Sequence, residues 1–150
     1  MEYGQQYDNS QTFSKYFESY LSELVNILVT NHGVKNCNIV EVGCGKGLFL
    51  RKLIANKDWN NFSFDPTYVG PEEDFNGRLK FQKTFFDKTS NISKIDIVIC
   101  RHIIEHISNP VDFLKSIKDT FPNNSKIKFS FETPTIKWIL RNKVFWDFYI

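Results

Sequence analysis

The spacing of apolar residues along this chain of 150 residues is helical in some segments and typical of strands in others. Seven of them between residues 13 and 28 keep the spacing of about 3.6 residues that predicts an amphipathic helix, here over 12–31 and ending near Gly33. Apolar or alternating runs typical of strands follow at 38–42, 61–65, 80–86, 95–100 and 126–131. Helical segments are predicted at 47–56, after Asn109-Pro110, where Asn109 is the N-cap and Pro110 the first residue, and after Thr133-Pro134.

Strands that alternate with helices predict an α/β fold with a parallel sheet covered on both faces. Right-handed crossovers make 3-2-1-4-5 the expected order of the five strands. The residues from 71 to 77 are rich in proline, glycine and acid, and they predict a loop. A ligand of such a fold binds at the carboxyl ends of the strands, where the winding reverses.

A glycine-rich turn follows the first predicted strand. The strand carries Glu41 and passes into Gly43, Gly45 and Gly47, and a helical segment begins at once. Glycine has no Cβ, so the backbone of such a turn can approach a ligand closely. The dinucleotide fingerprint Gly-x-Gly-x-x-Gly requires a third glycine at position 48, which is Leu48. The spacing is therefore not that of a dinucleotide site.

An acidic residue lies at the expected distance after the glycines. Asp65 ends the second predicted strand 22 residues after Gly43 (65 − 43), and Pro66 follows it. In α/β nucleotide sites an acid about 20 residues past the glycine turn binds the ribose hydroxyls. A carboxylate suits this role because it accepts two strong hydrogen bonds. Together, the two features predict a ligand of the adenosine type.

Composition narrows the classes of function. The net charge of +2 with mixed signs gives no electrostatic support for a nucleic-acid partner. No apolar run approaches the roughly 18 residues that span a bilayer, and no signal peptide opens the chain, so a membrane partner is not expected. Three cysteines without metal-type spacing predict a reduced, cytoplasmic setting.

Residues 38–132 resemble a class I S-adenosylmethionine-dependent methyltransferase of the small-molecule "type 11/12" branch. Glu41-Val-Gly-Cys-Gly-Lys-Gly47 matches motif I of that family, and Asp65 matches its ribose-binding acid. Phe86-Asp87 matches the acid that reaches the adenine amino group, and the segment 97–106 matches the family's fourth strand. The resemblance implies a Rossmann-like three-layer α/β/α sandwich, with the last two strands of the full family sheet lacking.

The resemblance also implies the site. S-adenosylmethionine, with S-adenosylhomocysteine as product, is the expected cofactor, and Tyr68 is expected beside the nucleoside. The expected cofactor-binding residues are Glu41, Gly43, Cys44, Gly45, Gly47, Phe64, Asp65, Pro66, Asp87, Arg101 and His102. A base is needed only when the methyl acceptor carries a proton. His102 and His106 are the candidate catalytic residues, since they are the neutral-pH bases near this site. No resident metal is expected.

Two other functions stay open. One is a binding module that holds S-adenosylmethionine without turnover, or a fragment that needs a partner. The other is a zinc hydrolase, because His102-Ile-Ile-Glu105-His106 fits the inverted zinc-protease pattern with Glu132 as a third ligand. That pattern needs two histidines one helical turn apart. Here it follows a buried strand and runs directly into Ser108-Asn109-Pro110, which leaves little room for a helix.

The expected organisation has three parts. Residues 1–37 form an N-terminal helix or lid, in which the segment Tyr3–Tyr7 is a candidate cover for the cofactor, and 38–132 form the core. Residues 133–150 form an apolar helix and extension that leads to a missing region. The apolar residues within 138–150 are the expected contact with a missing domain or a second copy of the chain. The acceptor is expected to be a small molecule, with a sugar nucleotide as one candidate, because 145–150 resemble part of sugar C-methyltransferase-like proteins.

Overall fold

A computed structural model describes residues 14–55, 59–90, 92, 94–121 and 126–143. Strands and helices alternate in it along the chain, as the sequence predicts. The elements are α1 (Lys15–Thr30), β1 (Ile39–Val42), α2 (Leu48–Ile54), β2 (Asn61–Phe64), β3 (Glu73–Asp74), β4 (Leu79–Gln82), β5 (Ile97–Arg101), a 3-10 helix (Ile104–His106), α3 (Pro110–Asp119), β6 (Lys128–Glu132) and α4 (Ile136–Asn142).

The strands form one sheet in the order β3-β4-β2-β1-β5-β6. Without β3 this is the predicted order 3-2-1-4-5, and the pairs β4·β2, β2·β1, β1·β5 and β5·β6 are all parallel. The prediction of about five strands is corrected by β3, a two-residue strand antiparallel to β4 within the predicted loop. Phe75, Asn76 and Gly77 all have positive φ, and this tight reversal folds β3 back onto β4.

Helices cover both faces of the sheet, which confirms the three-layer arrangement. On one face, Ile39 and Ile99 pack in a hydrophobic cluster with residues of α1 and α2, among them Leu21 and Leu50. On the other face, Val40, Val42, Val98 and Cys100 pack with Ile117 of α3. Every residue of β1 is buried, as expected of a central parallel strand covered on both sides.

Side-chain caps define the starts of two helices. Ser14 accepts a hydrogen bond from the Phe17 N–H at the start of α1. Asn109 caps α3 through the Asp112 N–H over 3.3 Å, and Pro110 is the first residue of that helix. The second cap is the one predicted from Asn109-Pro110.

The strand predicted over 80–86 is shorter in the structure, where β4 ends at Gln82. Its parallel partner β2 is only four residues long, so no pairing remains beyond the register Phe64↔Gln82. Phe86 leaves the sheet and packs edge-on against Phe64, with ring centroids 5.0 Å apart. Phe85 is exposed.

The N-terminal helix α1 packs into the same hydrophobic core as α2. Leu21 and Leu28 of α1 are buried in the same cluster as α2, and Lys52 of α2 pairs with Glu18 over 2.6 Å. The candidate lid segment Tyr3–Tyr7 lies outside the described residues.

The C-terminal helix α4 buries Ile139, whereas Trp138 and Leu140 are exposed. The remaining apolar residues of the expected contact, from Val144 onward, lie outside the described residues, so that contact stays a prediction. Within the described ranges, no helix combines the length and the apolar character needed to cross a bilayer.

Candidate functional site

The residues of the predicted site follow the carboxyl ends of neighbouring strands, and this end of the sheet is called the ligand edge, or the edge, below. Four parallel strands, β1, β2, β5 and β6, lie side by side and end in register there. Gly43, Asp65, His102 and Glu132 therefore lie at or just past the carboxyl ends of adjacent strands. This is the edge at which ligands bind in parallel α/β sheets.

The glycine turn between β1 and α2 needs glycine for conformation and for space. Gly43, Gly45 and Gly47 have φ of 74°, 53° and 72°, a region that other residues rarely adopt. A Cβ at Gly43 would lie 2.3 Å from the side chain of Ile103, and a Cβ at Gly47 would lie 2.3 Å from the ring of Phe81. A Cβ at Gly45 would meet no protein atom within 4 Å. The turn is therefore packed at its two ends and open at its centre.

Asp65 holds the centre of this turn. Its Oδ2 accepts a hydrogen bond from the Gly45 N–H over 2.8 Å, and its Oδ1 accepts from the N–H and the hydroxyl of Thr67 over 2.8 Å and 2.7 Å. The Asp65 side chain is nearly buried. Three donors thus fix this carboxylate beside the open part of the turn, and its expected role at a ribose stays a prediction.

Glu41 is buried beneath the same turn. Its Oε2 has no hydrogen-bond partner among the described residues. Burial raises the pKa of Glu41 to about 8, against the opposing effect of the Arg101 guanidinium. The carboxyl group therefore retains its proton at neutral pH, because the cost of burying its charge outweighs the attraction of the nearby guanidinium.

Arg101 carries a cationic group that acts on Glu41. Its guanidinium lies over the Phe49 ring at 4.3 Å, and its Nε donates to Oε2 of Glu132 over 2.5 Å. Its Nη2 is buried without a partner among the described residues. The edge thus holds a buried cationic donor at Arg101 and a buried acid at Glu41, both with unused hydrogen-bonding capacity.

His102 adjoins Arg101 and has a positive φ of 53°. Its Nε2 lies 3.1 Å from Oε1 of Glu132, and its Nδ1 lies 3.3 Å from Oε1 of Glu105. The hydrogen bond to Glu132, opposed by burial, raises the pKa of His102 above its ordinary value. The hydroxyl of Tyr20, on α1, donates to the same Glu132.

The zinc-protease pattern is not arranged as a helical metal site. Its second half forms a 3-10 helix of three residues, Ile104–His106, and His102 lies outside it in a left-handed conformation. His102 and His106 are therefore not one α-helical turn apart on a common face. Among the described residues, no group of three or more His, Cys, Asp or Glu side chains is placed to hold a metal ion.

The other predicted residues are placed differently. Phe64 is almost fully buried and packs on Phe86, and Tyr68 is buried with its ring stacked on Phe81. These two aromatics form part of the scaffold, and their expected place beside a nucleoside stays a prediction. Pro66 is partly accessible.

Asp87 and Cys44 complete the predicted set. Asp87 is exposed, and its Oδ1 accepts from the N–H and the hydroxyl of Thr89 over 2.7 Å and 2.6 Å. Those hydrogen bonds hold its pKa below the ordinary value. Burial raises the pKa of the Cys44 thiol, so Cys44 is not an activated nucleophile.

A comparison with family models matches residues 12–146 to the model described as a methyltransferase domain. The match covers most of the chain. The chain belongs to the methyltransferase domain family. This membership confirms the resemblance to class I S-adenosylmethionine-dependent methyltransferases that rests on motif I and Asp65.

Curated relatives of this methyltransferase domain include the ubiquinone biosynthesis O-methyltransferases of two strains of Rickettsia bellii. Each is 26% identical over 90 residues, a stretch that covers 56% of this chain and 37% of the relative. The match thus spans little more than a third of the length of these proteins.

Two solved structures share the fold. N-methyltransferase NodS from Bradyrhizobium japonicum WM9 has a TM-score of 0.54 at 12% identity, covering 85% of this chain and 74% of that one. Magnesium protoporphyrin IX methyltransferase (ChlM) from Synechocystis PCC 6803, solved with bound SAH, has a TM-score of 0.55 at 18% identity, covering 93% of this chain and 69% of that one. They confirm the Rossmann-like fold.

Sequence reasoning missed the central residue of the edge in this methyltransferase domain. Glu132 contacts Tyr20, Arg101 and His102, but the sequence suggested it only as a zinc ligand. A single acid at a strand end carries no motif. The available signal was its position, because the last residue of a parallel strand lies at the ligand edge.

Proposed function

We propose that this chain binds S-adenosylmethionine and transfers its methyl group to a small-molecule acceptor. The single observation that carries the proposal is the contact between the Gly45 N–H and Asp65, at the open centre of the glycine turn in a member of the methyltransferase domain family. The turn offers backbone at close range, and Asp65 offers the acid that suits a ribose diol.

The residues at the edge fit this ligand. Its amino-acid end carries an ammonium and a carboxylate group. The buried Oε2 of Glu41 and the buried Nη2 of Arg101 have unused capacity for groups of those two kinds. The backbone at Gly45 is open on its Cβ side, since a Cβ there would meet no protein atom within 4 Å. The proposed roles are therefore Asp65 at the ribose, Gly43 to Gly47 along the ligand, and Glu41 and Arg101 near its amino-acid end.

For methyl transfer, the main tasks of the protein are to position the two reactants and to exclude water from them. When bound, S-adenosylmethionine supplies a methyl group on a positively charged sulfur. Transfer is an in-line displacement, so the acceptor has to be held opposite the sulfur in a place that excludes water. A base is needed only if the acceptor carries a proton, and His102 and His106 remain the proposed candidates.

Support for a small-molecule acceptor comes from the curated relatives, which are named as O-methyltransferases of ubiquinone biosynthesis. A hydroxyl is therefore one acceptor group to test. A sugar nucleotide is the other, on the resemblance of residues 145–150. The alternative function is a module that binds S-adenosylmethionine without turnover, since the match covers 37% of the relatives' length.

The experiment that tests the proposal is transfer of label from S-adenosyl-[methyl-³H]methionine to a fractionated extract of small metabolites. Appearance of labelled product together with released S-adenosylhomocysteine is expected. Binding of S-adenosylhomocysteine without any labelled product would favour the binding module. Neither binding nor transfer would contradict the proposed function as a whole.

A further inference from the structure

Glu132 joins three parts of the structure through one carboxylate. Its Oε2 accepts from Nε of Arg101 over 2.5 Å, at the end of β5. Its Oε1 accepts from the hydroxyl of Tyr20, on α1, and lies 3.1 Å from Nε2 of His102. The carboxylate is therefore held from both sides, and α1 is tied to the ligand edge of the sheet.

The charge of Glu132 decides which nitrogen of His102 carries a proton. Although burial opposes it, hydrogen bonds from His102, Arg101 and Tyr20 hold the pKa of Glu132 at about 2. The carboxylate is ionised at neutral pH and only accepts hydrogen bonds. Nε2 of His102 is then the donor, because its contact with Glu132 has the geometry of a hydrogen bond, whereas Nδ1 and Glu105 are only within ion-pair distance.

The other ring nitrogen is the one that can exchange a proton. Nδ1 lies 3.3 Å from Oε1 of Glu105, and the His102 side chain is 44% exposed. A proton that arrives on Nδ1 is stabilised by the Glu105 carboxylate, whose Oε2 is buried without a partner among the described residues. The imidazole is thus set between two carboxylates, with one nitrogen fixed and one available.

We propose that Glu132 is a positioning residue that fixes the Nε2–H form of His102, so that Nδ1 takes the proton of a protic methyl acceptor. This inference rests on the proposed function. The acceptor is then a hydroxyl or an N–H group. Its proton moves to Nδ1, and the electron pair left on its oxygen or nitrogen forms the bond to the methyl carbon. The S–CH₃ bond breaks with its electron pair remaining on sulfur, so S-adenosylhomocysteine leaves as a neutral thioether.

Four charged or titratable groups face this imidazole and set its pH dependence. Glu132 on β6 and Glu105 on the 3-10 helix favour the charged form, and Arg101 on β5 disfavours it. Tyr20 on α1 shares Oε1 of Glu132. His102 acts as a base only in its neutral form, so activity rises with pH through a pKa above the ordinary value. Removal of the Glu132 charge moves this rise in activity to lower pH.

Nitrogen NMR of the ¹⁵N-histidine-labelled protein tests the positioning role without any acceptor. The chain has three histidines, and a His102→Gln variant assigns the His102 signals. We expect neutral His102 to be the Nε2–H tautomer and the pKa of His102 to fall in Glu132→Gln. Tyr20→Phe is the matched control, because it removes another donor to Glu132 but leaves the contact with His102. An Nδ1–H tautomer, or the same His102 pKa in Glu132→Gln, overturns the proposal. The tautomer of the unsubstituted protein decides alone if the Glu132 variants do not fold.

A weakly acidic phenol tests the base role. 4-Nitrophenol absorbs visible light only as its phenolate. If it binds at Nδ1 as the phenolate paired with the His102 imidazolium, the state that follows proton transfer, it gives colour at a pH below the pKa of the free phenol. When 4-nitrophenol is added to the protein with S-adenosylhomocysteine bound, the phenolate colour should appear. The same addition to the His102→Gln variant should give no colour. An absent signal, or an equal one in His102→Gln, overturns the base assignment. Binding of S-adenosylhomocysteine is measured by calorimetry on the same samples. If the unsubstituted protein does not bind it, the proposed function fails, and the result says nothing about the base assignment.

Discussion

Gly45 and Asp65 are joined by a hydrogen bond of 2.8 Å from the Gly45 N–H to Oδ2 of Asp65. The two residues lie on different connections, one after β1 and one after β2, and parallel pairing of these strands brings the connections together. The bond has a structural role, because it holds the centre of the glycine turn. It also places an acid beside the open space of the turn, which is the proposed position of a ribose.

Replacement of Asp65 by alanine should weaken binding of S-adenosylhomocysteine by about 1.5–3 kcal/mol, the scale of a hydrogen bond to a charged group. The loss corresponds to a roughly ten- to hundredfold rise in Kd, measured by isothermal titration calorimetry. Asp112→Ala, at an exposed acid on α3, is the control and should bind normally. Unchanged affinity in Asp65→Ala would remove this residue from the site.

Two glycine variants should separate stability from ligand access. Gly45→Ala forces alanine into a left-handed conformation, at a cost of about 1–2 kcal/mol, and its methyl group points into open space. Gly47→Ala carries the same strain and adds a contact of 2.3 Å with Phe81, whose ring is stacked on Tyr68.

Urea denaturation should show that Gly47→Ala lowers the free energy of unfolding by about 1–3 kcal/mol more than Gly45→Ala, the usual cost of overpacking. Gly45→Ala should nevertheless bind S-adenosylhomocysteine more weakly than the unsubstituted protein. Normal affinity in Gly45→Ala would mean that no ligand passes over the centre of the turn.

Glu41 should make the protein less stable as pH rises. Burial raises the pKa of Glu41 from its ordinary 4.5 to about 8 in the folded state. Between these values the folded state keeps a proton that the unfolded state releases, so the free energy of unfolding falls with increasing pH. Glu41→Gln removes this titration and should flatten that part of the profile, measured by urea denaturation at several pH values.

The control for this profile is Glu23→Gln, at an exposed position of α1. It should leave the pH dependence unchanged. A profile of Glu41→Gln that falls as steeply as that of the unsubstituted protein would show that Glu41 is ionised in the folded state.

Protein purified without added metal should contain no stoichiometric zinc. The zinc pattern requires His102 and His106 on one α-helix, but His106 lies in a 3-10 helix of three residues and His102 lies outside it. Atomic absorption of the purified chain measures the content. One zinc per chain, lost in His102→Ala, would restore the hydrolase alternative.

The sequence predicted the features that depend on local pattern. The cap at Asn109, the glycine turn and the position of Asp65 at the end of the second strand all follow from residue types at fixed spacings. Strand order followed from connection rules, and the five main strands obey them. β3 was missed because two residues carry no periodicity, and its formation depends on the tight reversal through Asn76 and Gly77.

The remaining features of the site depend on tertiary placement. The burial of the Phe64 and Tyr68 rings in the core depends on packing between segments that are distant in the chain. The neutral form of Glu41 needs complete burial, which no pattern in the sequence reports. Glu132 contacts Arg101, His102 and Tyr20, which lie between 30 and 112 residues away in the chain. Contacts of that separation have no local signature.

Calorimetric titration of the purified chain with S-adenosylhomocysteine, and separately with NAD, tests the central claim most directly. The account predicts saturable binding of S-adenosylhomocysteine at one site per chain and much weaker or no binding of NAD. The reason is that the turn lacks the third glycine of the dinucleotide fingerprint and has Leu48 in its place. Tighter binding of NAD than of S-adenosylhomocysteine would contradict the account.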